Sequence, residues 1–484
     1  MSVRKSMLWS LTGSVGFFVI QFIASVIVAR LLTPTEMGVY GVSLATVTLL
    51  NGFQNLGFQT FIVREEGLDR ATLGTVHTMA MLQGLALAAI LYAGAPVLAS
   101  FLDEPRVTPA LRILCLFALL MPLETLAAGH LQRRGRFDLV MALGFARVAV
   151  GAGTSVLLAY RGFSYASLSW GSVAGAAAGG LVGLAGVGRA FMVPPTLARW
   201  RAVWAYGSNI LATMALANIV SRVPDIALGR LAGVAMVGLY GRASGIIESF
   251  NTGVMYGVHN VILKALVDSR DAVGRIDAVY LRAVRAATGL FWPMYAGLGI
   301  LSAPVISMIY GPRWLAAAPV LALLSAAAFI QTALVARQEV LITAGRVGEL
   351  PRLEGTRGAV GLTLFIAGAT QGLVPAASAR VAESLTQHIL FVRRIRAAAD
   401  TTFGALYGCY GPSAIVTLAA VLPSVVLMQW NGWSHDIPPA EVAGAILIGI
   451  LLWFGALYLV GHELRTEIAT VWRAVAARLA RRSA

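Results

Sequence analysis

Charge is scarce in this chain. Only 12% of its 484 residues are Asp, Glu, Lys or Arg, while 58% are hydrophobic; ordinary soluble domains carry about 25% charged residues. So few charges cannot coat a soluble globule of this length, which leaves a many-pass integral membrane protein. Acidic residues are scarcer still, 22 against 37 basic ones, for a net charge of +15. In a membrane protein that excess reads as the cytoplasmic Arg and Lys that set orientation, and not as a nucleic-acid surface. Cysteine is nearly absent: Cys115 and Cys409, each inside an apolar run, make neither a disulfide framework nor a zinc spacing. No G-x-x-x-x-G-K-[ST] loop is present, which excludes ATP hydrolysis by that route, and no Gly-x-Ser-x-Gly elbow stands where it could act. No catalytic residue, metal or cofactor is expected.

What fills the chain is apolar run after apolar run. A spanning helix needs about 20 such residues. Fourteen runs qualify, approximately 7–29, 38–61, 76–101, 108–131, 138–160, 164–188, 204–229, 237–262, 286–310, 315–337, 356–373, 375–392, 404–430 and 440–461. The opening MSVRK has the look of a signal peptide, but the run after it is long enough to span and no clear cleavage site follows, so it is kept as the first helix. Basic residues test this division. With the N-terminus inside, 27 of the 37 fall on the inner side, 6 on the outer side and 4 (Arg147, Arg222, Arg242, Arg380) within helices. An asymmetry that alternates loop by loop places both termini in the cytoplasm. The tail from His462 to Arg482 has Leu464, Ile468, Val471, Trp472, Val475 and Leu479 at helical spacing with arginines opposite. It reads as an amphipathic helix on the anionic inner leaflet, or as a solvated basic tail.

One stretch returns. Residues 29–58, ARLLTPTEMGVYGVSLATVTLLNGFQNLGF, align without gaps on residues 229–258, GRLAGVAMVGLYGRASGIIESFNTGVMYGV. Arg30 meets Arg230, Leu31 meets Leu231, Gly38 meets Gly238, Tyr40 meets Tyr240, Gly41 meets Gly241, Asn51 meets Asn251 and Gly57 meets Gly257. Most of these are Gly, Tyr, Arg and Asn, which composition supplies less readily than Leu or Ala. The chain reads as two related halves, as transporters often are.

A charge inside the bilayer costs about 2.5–3.5 kcal/mol on insertion scales and calls for a reason. The seventh run carries Asn218, Arg222 and Asp225 at i, i+4, i+7, one face of a helix. The matching positions of the first half, Phe18, Phe22 and Ser25, carry no charge. That face is either the charged lining of a central cavity, binding an anionic headgroup through Arg222 or relaying a coupling ion, with Asp225 a candidate, or a structural ion pair. Other candidates stand under the same two readings. Arg147 lies in the fifth run. Arg380, Glu383, Ser384 and Gln387 form a stripe on the twelfth. Glu124 follows Met121-Pro122 in the fourth, where a proline frees backbone carbonyls. Gln54, Asn55 and Gln331 would hydrogen-bond sugar hydroxyls or bridge helices. Glu124 and Glu383 join Asp225 as coupling-ion candidates. The six histidines sit mostly near run ends and read as interfacial.

The stretches ARLLTPTEMGVYG, NLGFQTFIVRE, GRLAGVAMVGLYGRASGI and IYGPRWLAAAPVLALLS resemble the polysaccharide-transport proteins of the Wzx flippase type, in the multidrug/oligosaccharidyl-lipid/polysaccharide exporter superfamily. The resemblance runs from about residue 7 to residue 396, and the last two runs match by position. It implies an all-α fold of about 14 transmembrane helices. Two pseudo-symmetric six-helix bundles, 1–200 and 201–400, are followed by two additional helices in 401–462 and a basic cytoplasmic tail in 463–484. It implies a bacterial inner-membrane flippase that moves an oligosaccharide on undecaprenyl pyrophosphate from the inner to the outer leaflet by alternating access, for exopolysaccharide or O-antigen export. Partners would be membrane lipids and the polymerase and chain-length or export proteins of the same pathway. Arginine suits pyrophosphate because its fork meets two oxygens at once. Two other readings compete: a drug or peptidoglycan-precursor exporter of the same superfamily, and a membrane-embedded polymerase or glycosyltransferase. The last usually carries a large outer loop with catalytic charges. Here the longest, residues 429–441, offers only Asp436 and Glu441.

Overall fold

A backbone crossing hydrocarbon must satisfy its own N–H and C=O groups, and a helix does so within each apolar run. The computed structural model describes residues 16, 19–52, 57–65, 67–251, 256–273 and 275–466, and every regular element among them is helical. The expected amphipathic tail lies almost wholly outside these residues. By contacts the chain forms two units, Met1–Gly241 and Arg242–Ala484.

The first unit holds α1 (Val19–Leu31), α2 (Pro34–Gly52), α3 (Phe58–Arg64), α4 (Arg70–Leu102), α5 (Val107–Arg133), α6 (Phe137–Tyr160), α7 (Ala166–Val187), α8 (Trp200–Ala232) and the start of α9 (Val234–Phe250). The repeated stretch explains its own local form. Thr33 and Glu36 close a reciprocal cap on α2: Glu36 N–H donates to Thr33 Oγ1 at 3.3 Å, and Thr33 N–H donates to Glu36 Oε2 at 2.7 Å. Pro34 stands at the first helical position, where its missing N–H costs nothing. The second expected run, 38–61, is not one helix: it is divided into α2 and α3, and Gly57 before α3 is left-handed at φ 64°. α7 packs on both α5 and α6, and α2 packs on α8. The α6–α7 contact is close because α7 presents glycine: a Cβ at Gly175 would lie 2.7 Å from the Arg147 carbonyl oxygen.

The two copies of the repeat touch within this unit. A Cβ on Gly38 would fall 1.8 Å from the carbonyl oxygen of Val234, and one on Gly238 would fall 2.0 Å from the carbonyl oxygen of Pro34. It is the same contact with the partners exchanged. The repeat boundary at 200 and the unit boundary at 241 are therefore different things, because α8 and the start of α9 belong with the first unit.

The second unit continues with α10 (Tyr256–Val273), α11 (Asp277–Ile300), α12 (Ser302–Tyr310), α13 (Ala318–Thr332), α14 (Arg337–Thr343), α15 (Leu350–Ala369), α16 (Leu373–Ala398), α17 (Phe403–Gly408), α18 (Tyr410–Trp430) and α19 (Pro439–Leu459). α16 packs on α13 and α15, α11 on α13 and α18, and α18 on α19. Tyr280, Phe291, Tyr295 and Phe391 are buried together among aliphatic residues in their core. Trp453 of α19 donates its indole N–H to the Gly289 carbonyl of α11 at 2.9 Å. The ninth expected run, 286–310, is also not straight. α11 and α12 meet at a 76° bend beside Leu301. Seven described helical segments are long and apolar enough to cross a membrane, or eight if that bent pair is one span. The fourteen runs of the sequence include helices such as α2, α9 and α16 that are shorter or more polar.

Candidate functional site

The sequence candidates among the described residues fall into three charged clusters on helices, two in the first unit and one in the second. On α8, Arg222 Nη1 lies 4.0 Å from Asp225 Oδ2, the loosest of the three pairings, and the Arg222 side chain is 44% exposed. One turn earlier, Asn218 lies against the end of α2. A Cβ on Gly52 would sit 2.6 Å from the Asn218 amide nitrogen, so glycine there makes room for the amide. The one-face spacing read in the sequence is realised, and the pair it suggested is loose enough to leave the guanidinium fork open.

The second cluster joins three helices. Arg147 of α6 donates from Nη1 to Glu124 Oε1 of α5 at 3.1 Å. Gly179 of α7 faces both, its absent Cβ lying 3.2 Å from Arg147 Cβ and 3.3 Å from Glu124 Oε2. That second carboxylate oxygen is buried with no hydrogen-bond partner. A buried oxygen left unsatisfied is costly, and a proton or a small cation would satisfy it.

The third cluster is denser. Glu383 of α16 is buried and accepts from two arginines, Arg357 Nη1 of α15 at 2.5 Å and Arg380 Nη1 of its own helix at 2.8 Å. Arg357 also donates to Glu354 at 2.7 Å, and Glu354 accepts from Arg337 at 3.3 Å and Gln338 at 2.9 Å. Gly361 opens the space for Glu383, since a Cβ there would lie 2.6 Å from its carboxyl carbon. Gln331 of α13 donates to Ser384 Oγ at 3.0 Å. The Arg380 guanidinium lies 4.9 Å from the centre of the Phe365 ring. The two units thus share a device: an arginine on α6 or α15 meets a buried carboxylate beside a glycine.

The sequence-derived candidates Arg380, Glu383 and Gln331 are brought together in the third cluster, Glu124 and Arg147 in the second, and Asn218, Arg222 and Asp225 in the first. Gln54 and Asn55 lie outside the described residues. Sequence reasoning missed Glu354, and it missed Arg357 and Arg337, which the count of basic residues assigns to the inner loops. The signal was there: Glu354, Arg357 and Gly361 stand at i, i+3, i+7, one face of α15. Two of the histidines near helix ends, His77 and His130, are buried against each other, Nε2 to Nε2 at 2.9 Å, with Phe191 4.6 Å from the His77 ring centre. Among the described residues, no three His, Cys, Asp or Glu side chains come together as a metal site.

Guanidinium groups of this kind suit phosphate, and buried carboxylates suit proton or cation exchange; nothing in the three clusters resembles a nucleophile with its base. Comparison with known proteins agrees in fold. The lipid II flippase MurJ, solved in an inward closed conformation, superposes with a TM-score of 0.72 at 14% identity, covering 94% of this chain and 98% of MurJ. An inward-facing multidrug-resistance MATE transporter of the MOP superfamily gives 0.62 at 12% identity, covering 81% of this chain and 99% of that one. The fold is that of MOP-superfamily transporters. In sequence, the chain is 26% identical over 331 residues to the succinoglycan biosynthesis transport protein ExoT of Rhizobium meliloti, covering 67% of this chain and 66% of ExoT. It is 21% identical over 350 residues to the teichuronic acid biosynthesis protein TuaB of Bacillus subtilis, covering 70% of each. It is 18% identical over 331 residues to the lipopolysaccharide biosynthesis protein WzxC of Escherichia coli, covering 67% of each. These matches span about two thirds of the curated relatives. The model of the family described as "Polysaccharide biosynthesis protein" matches residues 27–319, more than half of the sequence, and the chain belongs to that family.

Proposed function

We propose that this protein is a flippase that carries lipid-linked oligosaccharide repeat units, on undecaprenyl pyrophosphate, from the inner to the outer leaflet of the bacterial inner membrane. It does so by alternating access and is not an enzyme. The observation that carries this reading is the open pair on α8: Arg222 stands 4.0 Å from Asp225 and nearly half exposed within a helix that is otherwise largely apolar. Arg222 takes the pyrophosphate, and Asp225 orients it. The names of the relatives, a succinoglycan transport protein and a lipopolysaccharide biosynthesis protein, support a saccharide cargo. Arg147, Arg380, Asn218, Gln54, Asn55 and Gln331 complete the candidate lining. Glu124, with its unsatisfied oxygen, and Glu383 join Asp225 as candidates for a coupling ion. The polymerase and the chain-length and export proteins of the same pathway are the expected partners.

The test is deletion of the gene, followed by analysis of lipid-linked saccharides and secreted polymer. Loss of polymer, with complete repeat units held on the lipid at the inner leaflet, is the expected result. Repeat units appearing on the outer leaflet but unjoined would favour an enzyme that joins them. Unchanged polymer with altered sensitivity to cationic compounds would favour a drug exporter. In the complemented strain, an Arg222→Ala variant that inserts normally should lose most export; export at the native rate would sink the role given to Arg222.

A further inference from the structure

A groove on the surface of the first unit is lined by Thr108, Pro109, Arg112, Ile113 and Leu116 of α5 and Trp170 of α7, with a volume of about 320 Å³. Arg112 stands five residues inside α5, about 7.5 Å along the helix from its start. It is exposed, and its guanidinium lies 4.8 Å from the centre of the Tyr92 ring of α4. Below it on the same face, Leu116 and Leu119 at i+4 and i+7 are exposed leucines, 39% and 38%. Tyr92 and Trp170 are exposed beside them. That is the profile of a surface turned to lipid: an apolar stripe topped by a cation between two aromatic rings. Among the described residues, the Arg112 side chain has no carboxylate partner, and the Trp170 indole N–H has no acceptor. The nearby loop acid, Glu104, is taken by Arg106 at 2.8 Å. The basic-residue count puts Arg112 on the outer side, near the start of α5, where a cation with an apolar stripe below it meets the phosphates of the bilayer.

We propose that this groove binds an anionic glycerophospholipid. The phosphate sits on the Arg112 guanidinium within reach of Trp170, and an acyl chain runs down Leu116 and Leu119. The basic-residue asymmetry puts the groove in the outward half of the membrane. Its size suits one phosphate and its glycerol and is too small for an oligosaccharide, so the site stands apart from the transport reading and does not depend on it. The shape is an amphiphile's: charge at one end and apolar surface along the rest.

The test uses the purified full-length protein in detergent, with native mass spectrometry and thermal midpoints measured against added phosphatidylglycerol or phosphatidylcholine. Wild type should retain phosphatidylglycerol in preference to phosphatidylcholine. Arg112→Ala should weaken that binding about five-fold or more, as loss of one arginine from an anionic membrane surface implies. Arg161→Ala, an exposed arginine outside the groove, should not. If Arg112→Ala fails to fold, Trp170→Ala removes the other wall and should weaken phosphatidylglycerol binding in the same direction. Equal retention of the two lipids by wild type, or unchanged phosphatidylglycerol binding in the groove variants, overturns the proposal. So does displacement of phosphatidylglycerol by a polyprenyl phosphate at far lower concentration, which would give the groove to the carrier lipid instead.

Discussion

Glu383 is one carboxylate facing two guanidinium groups, and its removal takes a carboxylate partner from both Arg357 and Arg380 between packed helices, while Arg357 keeps Glu354. Breaking a buried pair by deleting one partner costs about 3 kcal/mol, far more than the pair contributes relative to an apolar replacement. Glu383→Ala should therefore lower the thermal midpoint clearly, while replacing Arg357 and Glu383 together by Met and Leu should recover much of the loss. A single variant as stable as wild type would mean that Arg357 finds its full compensation in Glu354. His462, just beyond α19, gives a second prediction. Its Nδ1 accepts the Leu464 N–H at 3.2 Å, and its Nε2 lies 3.1 Å from Ser413 Oγ. Burial holds its pKa below the usual value of 6.5, against the opposing pull of Glu463, while Arg285 adds to the lowering. With the folded pKa depressed, the unfolded chain takes up the proton first. The stability contributed by neutral His462 is present above about pH 6.5 and is lost as pH falls below it. Thermal midpoints from about pH 7.5 to about pH 5 should fall less steeply for His462→Gln than for wild type; parallel slopes would remove His462 from the account.

Where α2 and α9 cross, backbone approaches backbone, and no side-chain rotation can make room for a methyl group. Gly38→Ala and Gly238→Ala should each push the two helices apart and lower the thermal midpoint by similar amounts, since each meets the other helix's carbonyl in the same way. Gly241→Ala is the control, because a Cβ there meets nothing within 4 Å. Unequal effects of the two alanines would break the exchange symmetry. The match of Gly38 with Gly238 was legible in the sequence, but that the two copies touch there was not, because a repeat pattern does not say whether its copies meet. The all-α class and the one-face spacing on α8 were legible too. The breaks in helices were not. The bend between α11 and α12 falls in an unbroken apolar run, and hydropathy reports that a segment is in the membrane without reporting its direction. The network around Glu383 was half legible. Arg380 and Glu383 share a helix and show as a stripe, but their partner Arg357 comes from α15, and a single helix's periodicity carries no information about which neighbour it packs on.

At the scale of the whole molecule, the distribution of arginine and lysine makes a claim about sidedness that each loop can test separately. Residues 431–438 follow α18 and precede α19, and carry an exposed Trp433 of the kind that lines membrane interfaces. Residues 263–285 carry five basic residues. If the asymmetry is the cytoplasmic excess of a positive-inside protein, the first loop faces out and the second faces in. Both native cysteines are buried, so single cysteines added to the wild-type chain report alone. In intact cells, Ser434→Cys should react with a membrane-impermeant maleimide, and Ser269→Cys should react only after the membrane is opened. Reaction of Ser269→Cys in intact cells with protection of Ser434→Cys would invert the topology, carrying the Arg112 groove to the inner leaflet and reversing the direction assigned to transport. Reaction of both from outside would mean an even number of spans between them, and the division of the chain into fourteen runs would have to lose or gain one in the segment from α11 to α18, where α11 and α12 bend and α15 and α16 meet at a short turn.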